Sequence, residues 1–415
     1  MAHSDLEATG RRVGIGAKEI ARASNSLRQE ALRRAAFRIR EQSSAILDAN
    51  AQDVAEGIDQ GLNDTSLDRL RLDANRIEAM AQSLEDVADL SDPLGVVVDS
   101  STRPNGLEVS RVRAPLGVVG VIYENRPNVT SDVAGLCIRS GNGVYLRGSS
   151  TSLASNKAIV SALRQGLKDV GLHEDVVALV EDTSHETAIS FMQLRGILDV
   201  LIPRGGPSLI ASMEEHATVP VVLDGDGNCH VYVDTDADID MAISIIVNAK
   251  TQRPGVCNAM ESLVLHQDVA GEILARLDTE MANVELVGDE RACALLPRVS
   301  PAGDEDYSTE FLGLKASVVV VDSLEEAVDH IGKHSSGHSE AIVTRKNVTA
   351  ERFLSEVDAA AVLWNASTRF VDGGELGLGS EVGISTQKLH ARGPMGLEAL
   401  TSVRWVIRGQ GQVRT

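Results

Sequence analysis

Two rhythms of apolar residues divide the chain. Between residues 20 and 90, Leu32, Ala36, Ile39, Ser43 and Ile46 recur every three or four positions with Arg and Glu on the other face, which predicts amphipathic helices acting as scaffold. Asp92-Pro93-Leu94-Gly95 punctuates that region, and residues 96–114 then read as a polar hairpin around Pro104-Asn105-Gly106. From residue 117 the rhythm changes to short apolar runs, GVVGVI (117–122), VYL (144–146), VVALV (176–180), LDVLI (198–202) and VPVVL (219–223), separated by helix-like segments. Continuous apolar runs alternating with helices predict parallel strands covered on both faces. Ligands bind beyond the carboxyl ends of such strands, so the loops after 122, 146, 180, 202 and 223 are the places to search. A second series follows, with strands near 261–266, 317–322, 339–343 and 360–364 and helices near 268–282, 324–334 and 348–357. The tail TSVRWVIRG is an amphipathic strand, expected to pair with the hairpin at 96–114 or with its copy in another subunit.

Length adds a second domain to this picture, because 415 residues exceed one compact core and an apolar content of 43% fills two. No apolar stretch approaches the roughly 20 residues of a membrane span. The start, MAHSDLEATGRR, lacks the apolar core of a signal peptide, so a cytoplasmic location is expected. Cys137, Cys229, Cys257 and Cys293 show no CxxC spacing, which points to reduced thiols rather than disulfides or a zinc knuckle. A net charge of -21 argues against nucleic acid as a main partner, since such binders need a basic surface to displace counterions. Phosphorylated ligands would need local cations.

Metal-like spacings dissolve on inspection. His330, His334 and His338 stand four apart, but Ser335-Ser336-Gly337 breaks the helix before the third, so they read as a helix end and a loop lining the cleft. Asp234, Asp236, Asp238 and Asp240 resemble a calcium loop, yet Ile239 and Ile245 stand where that loop wants glycine and glutamate. His185-Glu186 has no second histidine at the zincin spacing, and no metal is expected.

Cys257 lies in AKTQRPGVCNAMES, on a turn between a helical segment and the strand ESLVLH, with Lys250 and Arg253 close in sequence. A thiol ionises near pH ~8.5, and neighbouring cations or a helix N-terminus lower that value, as a nucleophile requires. Taken alone, such a cysteine reads as a small buried apolar group. Its context reverses that preference. Four blocks, APLGVVGVIYENRPNVT (114–130), TQRPGVCNAMES (251–262), AVDHIGKHSSGHSEAI within 321–342, and WNASTRFVDGGELGLGSEVGISTQKLHARGPMGL (364–397), resemble the aldehyde dehydrogenase superfamily and, within it, the gamma-glutamyl phosphate reductase family.

The resemblance implies an aldehyde-dehydrogenase-like α/β fold with two Rossmann-like parallel-sheet domains and a β-hairpin oligomerisation flap. Residues 1–95 and 115–233 would bind NADP, 234–398 would be catalytic, and 96–114 with 399–415 would form the flap. It makes Cys257 the nucleophile and Asn125 the oxyanion donor, where the residues alone also allow a turn asparagine ahead of Arg126-Pro127. Hydrolytic members carry a water-activating glutamate upstream of the cysteine; here Leu223 takes that place, with Asp224 one position on, so the acyl group is expected to exchange with phosphate. At the end of VYLRGSSTS, Arg147 with Ser149, Ser150 and Thr151 replaces the glutamate that grips the ribose in many NAD-specific members, which favours NADPH. No GxGxxG follows a strand. Gly205-Gly206-Pro207-Ser208 offers instead a close-approach turn at a helix start for the pyrophosphate, and Glu310 matches the glutamate holding the nicotinamide ribose.

Ser367, Thr368 and Arg369 suit an anionic acyl phosphate, with Lys388, His390 and Arg392 adding positive charge nearby in sequence. The expected reaction is reduction of gamma-glutamyl phosphate to glutamate 5-semialdehyde, the second step of proline biosynthesis. A hydrolytic NAD(P)-dependent aldehyde dehydrogenase is the alternative, and a non-catalytic partner protein the rival from another class. The expected assembly is a homodimer or larger homo-oligomer, with glutamate 5-kinase a candidate partner.

Overall fold

The computed structural model describes residues 3–223 and 225–414. The chain divides into two compact units, Met1–Leu223 with Gly377–Gly383 and Met395–Thr415, and Asp224–Leu376 with Ile384–Pro394.

The first unit opens with five helices, α1 (His3–Ile20), α2 (Asn25–Glu41), α3 (Ser43–Asp59), α4 (Asp64–Leu70) and α5 (Ala74–Asp89). The apolar periodicity read across residues 32–46 spans two of them, because the chain turns at Gln42, whose N–H closes α2 on Arg38 and whose carbonyl opens α3. Strands β1 (Val97–Thr102) and β2 (Glu108–Pro115) form the hairpin. Then β3 (Val118–Tyr123), α6 (Asn128–Arg139), β4 (Gly143–Arg147), α7 (Leu153–Asp169), β5 (Val177–Leu179), α8 (His185–Met192), β6 (Val200–Arg204) and α9 (Pro207–His216) build a parallel sheet in the order β5-β4-β3-β6. Its core gathers Val118, Ile122, Leu198 and Leu201 around Tyr145 and Phe191, whose rings meet edge to face at 5.0 Å. Helices α2 and α7 cross so closely that a Cβ on Gly166 would stand 2.5 Å from the Ala35 nitrogen, which fixes glycine there.

The expected strand at 219–223 is absent. Only Val221 bridges to Leu201, and Pro220, lacking an N–H, offers just its carbonyl to the Leu201 N–H at 2.8 Å.

The second unit runs β7 (Cys229–Val233), α10 (Ile239–Thr251), β8 (Met260–His266), α11 (Gln267–Glu280), β9 (Glu285–Gly288), α12 (Glu290–Leu295), β10 (Ser300–Pro301), β11 (Lys315–Val321), α13 (Leu324–His334), β12 (Ser339–Val343), α14 (Asn347–Glu356) and β13 (Ala361–Trp364), followed by the short pair β14 (Ile384–Ser385) and β15 (Gly393–Pro394). Its parallel sheet has the order β10-β9-β11-β8-β7-β12-β13. The sequence rhythm found β8, β11, β12 and β13 but passed over β7, fully buried in the interior of the sheet, because Cys229 and His230 follow the polar stretch DGDGN and disguise its start. The short β9 was also passed over.

The tail forms β16 (Thr401–Arg408), antiparallel to β2 of the same chain from Thr401↔Pro115 to Arg408↔Glu108, giving a three-stranded sheet β1-β2-β16. Val403, Trp405 and Ile407 lie exposed on one face of it, and the Arg111 guanidinium sits 5.8 Å from the Trp405 ring centre. Among the described residues no helix is long and apolar enough to cross a membrane.

Candidate active site

In the first unit the chemistry-bearing loops follow β3, β4 and β6, at the carboxyl ends of the sheet. The chain builds outward from β3 through β4 to β5 and returns to the other side of β3 with β6, so a switch point lies between β3 and β6, where α/β sheets bind ligands. Asn125 and the Gly205-Gly206 pair leave neighbouring strands there, and the Glu124 N–H donates to the Arg204 carbonyl at 3.1 Å. Asn125 is half-buried, and its amide oxygen accepts from the Thr151 hydroxyl. That bond directs the amide N–H2 elsewhere, as a donor. Ser149 stands 2.9 Å from the same hydroxyl and caps the short 3-10 turn Ser150–Ser152, while Ser150 is exposed.

The β4 loop rests on polar groups that sequence reasoning missed. Tyr123, Thr130, Asn156 and Ser152 are linked through buried hydrogen bonds of 2.7, 3.0 and 3.0 Å. Asp53, from α3, accepts from the Ala154 and Ser155 N–H groups at 3.1 and 2.7 Å, closing the N-terminus of α7 to any other anion. The start of α9 is differently arranged: Gly206 has no side-chain cap, and its N–H donates to the exposed carboxylate of Glu124 at 3.2 Å. Ser208 is exposed beside it. Arg147 is half-buried, its Nη2 held by the Thr183 and Ser184 carbonyls at 2.7 and 3.2 Å, while its buried Nε has no partner among the described residues.

In the second unit Cys257 is half-exposed on the turn between α10 and β8. This turn stands at the amino end of β8, an interior strand, and not at the carboxyl ends to which the strand pattern directs a search. The backbone there is packed to contact: a Cβ on Gly227 would lie 1.8 Å from the Cys257 carbonyl oxygen, so only glycine fits. The Cys229 thiol donates to that same carbonyl at 3.1 Å. Glu310 is placed beside it, accepting from the Gly227 N–H at 2.9 Å.

The histidine block acts as a brace for this strand entry. Asn228 donates to the carbonyls of Tyr307 and His334 at 2.8 and 2.7 Å, and its N–H donates to Ser336 at 3.0 Å. Burial pushes the His330 imidazole down to about 3 and that of His338 down to about 4, so both are neutral near pH 7 and pack as uncharged rings.

Of the two cations near Cys257 in sequence, Lys250 is turned away from it. Lys250 does not serve the thiol: it is fully buried and 2.5 Å from Glu261, whose other oxygen accepts from the Leu312 N–H at 3.3 Å. Burial pushes the Glu261 carboxyl up to about 7 and the Lys250 ammonium down, each opposed by its partner. Arg253 is exposed. The cation that the fold brings to the thiol is Arg369, on the 3-10 turn Thr368–Phe370. Its Nη1 donates to Asn258 and its Nε to Gln252 at 2.8 Å, residues on either side of Cys257, which holds the guanidinium against that turn. Ser367 is buried and caps the Arg369 N–H at 3.3 Å; Thr368 is fully buried, its hydroxyl without a partner among the described residues. Lys388 and Arg392 both pair with Asp358, the latter at 2.6 Å, while His390 is exposed. Leu223 is half-buried, and Asp224 lies outside the described residues.

A half-exposed cysteine turn at the start of a parallel strand, with glycine- and hydroxyl-rich loops at the carboxyl ends of another parallel sheet, points to the class. The chain belongs to the aldehyde dehydrogenase family, whose model matches residues 12–307, and within it to the gamma-glutamyl phosphate reductases. It is 51% identical to the gamma-glutamyl phosphate reductase of Heliobacterium modesticaldum over 417 residues, covering 100% of both chains. It is 48% identical to that of Thermobifida fusca, covering 99% of each. The crystal structure of gamma-glutamyl phosphate reductase from Thermotoga maritima superposes with a TM-score of 0.96 at 44% identity, covering 99% of this chain and 100% of that one.

Proposed function

We propose that this chain reduces gamma-glutamyl phosphate to glutamate 5-semialdehyde and phosphate, the second step of proline synthesis from glutamate, through a thioester on Cys257. The observation that carries this reading is the Cys257 turn itself, sealed against Gly227 and flanked on both sides by residues that hold the Arg369 guanidinium. The end-to-end likeness to relatives of that name supports the substrate.

In the proposed reaction the Cys257 thiolate attacks the acyl carbon and the C–O bond to phosphate breaks, so that phosphate leaves with the electron pair. Asn125, its amide oriented by Thr151, donates to the carbonyl oxygen as it gains charge. Arg369 favours the thiolate by its charge and attracts the anionic substrate. Ser367 and Thr368 belong to the same substrate-binding turn. A nicotinamide cofactor, when bound, supplies the hydride that turns the thioester into a hemithioacetal; expulsion of the Cys257 sulfur then releases the aldehyde. Leu223, at the place of the glutamate of hydrolytic relatives, cannot itself activate water. The test is the oxidative direction. Semialdehyde with NADP is expected to turn over only when phosphate is supplied, and equal rates without phosphate would favour the hydrolytic reading.

The residues present fit NADPH. The Arg147 Nε is buried without a partner among the described residues, and Ser149, Ser150 and Thr151 follow it on one polar turn, a set suited to a ribose 2′-phosphate. With α7 closed by Asp53, the cradle for the pyrophosphate is Gly205, Gly206 and Ser208 at the start of α9. Glu310 would hold the nicotinamide ribose. Arg147→Ala is expected to raise KM for NADPH by about 10- to 100-fold while KM for NADH changes less than about threefold, since a charged hydrogen bond contributes about 1.5–3 kcal/mol. Steady-state kinetics with both cofactors checks this; equal losses would assign Arg147 to packing.

The three-stranded sheet, with Val403, Trp405 and Ile407 exposed on one face, is the proposed subunit contact, most simply in a homodimer. The proposed location is the cytoplasm, and glutamate 5-kinase, whose product is the substrate, is the proposed functional partner.

A further inference from the structure

The first unit carries a basic cavity that the reaction does not use. It measures 540 Å³ and is lined by Lys18, Arg22, Asn25, Arg28, Asp92, Arg113 and Arg404, among smaller residues. These come from the end of α1, the α1–α2 turn, α2, the α5–β1 link, β2 and β16. Five cations against one carboxylate is a local reversal of sign in a chain of net charge -21.

The cations divide by their partners. Arg28 is only 3% exposed; it donates to Asp92 at 2.5 Å and to the Ala23 carbonyl at 2.6 Å, and its buried Nε has no partner among the described residues. Arg113 is paired with Glu398 at 2.5 Å. Lys18, Arg22 and Arg404 make no ion pair or side-chain hydrogen bond among the described residues. Behind the wall, Arg139 is 1% exposed and donates to the side-chain oxygen of Asn25 at 2.5 Å, with no ion pair of its own among the described residues. Like charges gathered round a hollow repel one another, and that cost is offset when an anion sits among them. The volume suits a small organic molecule rather than a bare ion.

We propose that this cavity binds a small organic anion carrying two or three negative charges, of carboxylate or phosphate type, through Lys18, Arg22 and Arg404 with Arg28 at its floor. The bound anion fastens the base of the β1-β2-β16 sheet to the helical layer formed by α1 and α2. It acts as an effector or structural ligand distinct from the substrate and cofactor, and the inference stands independently of the catalytic reading.

The test uses the full-length protein with citrate and pyrophosphate as probes, at ionic strength matched with sodium chloride, read by isothermal titration calorimetry and by the thermal midpoint. Saturable binding of at least one probe, one per chain, is expected, with a raised midpoint. Binding should weaken at least about tenfold in Lys18→Ala/Arg22→Ala/Arg404→Ala and persist in Arg369→Ala, which alters only the proposed substrate site. Citrate without pyrophosphate would identify carboxylate chemistry, and the converse phosphate chemistry. Unchanged binding in the triple variant, or no saturable binding of either probe, overturns the proposal. Should the triple variant misfold, the exposed Arg404→Ala alone is expected to weaken binding about fivefold, and an unaltered affinity there is equally decisive.

Discussion

Cys257→Ser is expected to lower kcat in both directions by about 10⁴-fold or more, with NADPH affinity within about threefold of the parent. A serine hydroxyl has no appreciable ionised fraction near neutral pH, and a neighbouring guanidinium cannot make an alkoxide of it. The packing around the site gives the substitution little scope to act by unfolding. The contacts that hold the turn are made by the Cys257 carbonyl, by Gly227 and by Asn258, and the half-exposed side chain is not needed for any of them. The experiment combines rapid-quench turnover with intact-mass detection of the acyl adduct and a cofactor titration. Full activity in the serine protein, or an adduct mapped to Cys137, Cys229 or Cys293, would remove Cys257 from the mechanism.

Asn125→Ala is the second large effect. Removing one donor from an oxyanion site costs about 10²–10³ in kcat, with KM much less affected, because the charge that the amide meets is present in the transition state and not in the bound substrate. The structure adds a graded control. Thr151→Val keeps the asparagine but deletes the hydroxyl that accounts for its amide oxygen, so the amide is free to rotate and present the wrong end. About a tenfold loss in kcat is expected there, smaller than for the alanine variant and not additive with it in the double variant. Additive losses would mean that Thr151 acts on the cofactor and not through Asn125. Burst kinetics on the two single variants and the double variant distinguish these outcomes.

Lys250 shows how proximity along the chain misleads. It stands seven residues before the thiol in AKTQRPGVC and on sequence grounds looks able to activate it. In the fold the helix α10 turns its side chain inward, where Glu261 neutralises it, and the pair ties the end of α10 to the start of β8 and to the Leu312 segment. Arg369, more than a hundred residues later, reaches the turn instead. Nothing in the spacing of either residue announces this exchange.

Much of the fold was legible because it rests on local rules. Apolar runs of strand length alternate with helices, and that pattern alone assigns β3, β4, β6, β8, β11, β12 and β13 to parallel sheets. The strand at 219–223 failed because Pro220 removes a ladder donor that hydrophobicity does not register, and β7 was hidden because a buried strand beginning Cys-His looks like the end of a polar loop. The residues proposed as nucleophile, oxyanion donor and cofactor loops likewise stand in short blocks of characteristic residues. Each is carried by a single loop, so its identity is written in contiguous sequence.

Tertiary structure alone decided which neighbours those residues have. Asp53 closes α7 from a helix a hundred residues away, Thr151 orients Asn125 across two loops, Glu310 meets Gly227, and Lys18, Arg22 and Arg404 gather around one cavity from distant segments. The physical reason is that charge and hydrogen-bond effects act over a few ångströms of space, whatever the distance along the chain. Periodicity tells which face of an element is buried, but the partner on the other side of that face exists only once the layers have packed.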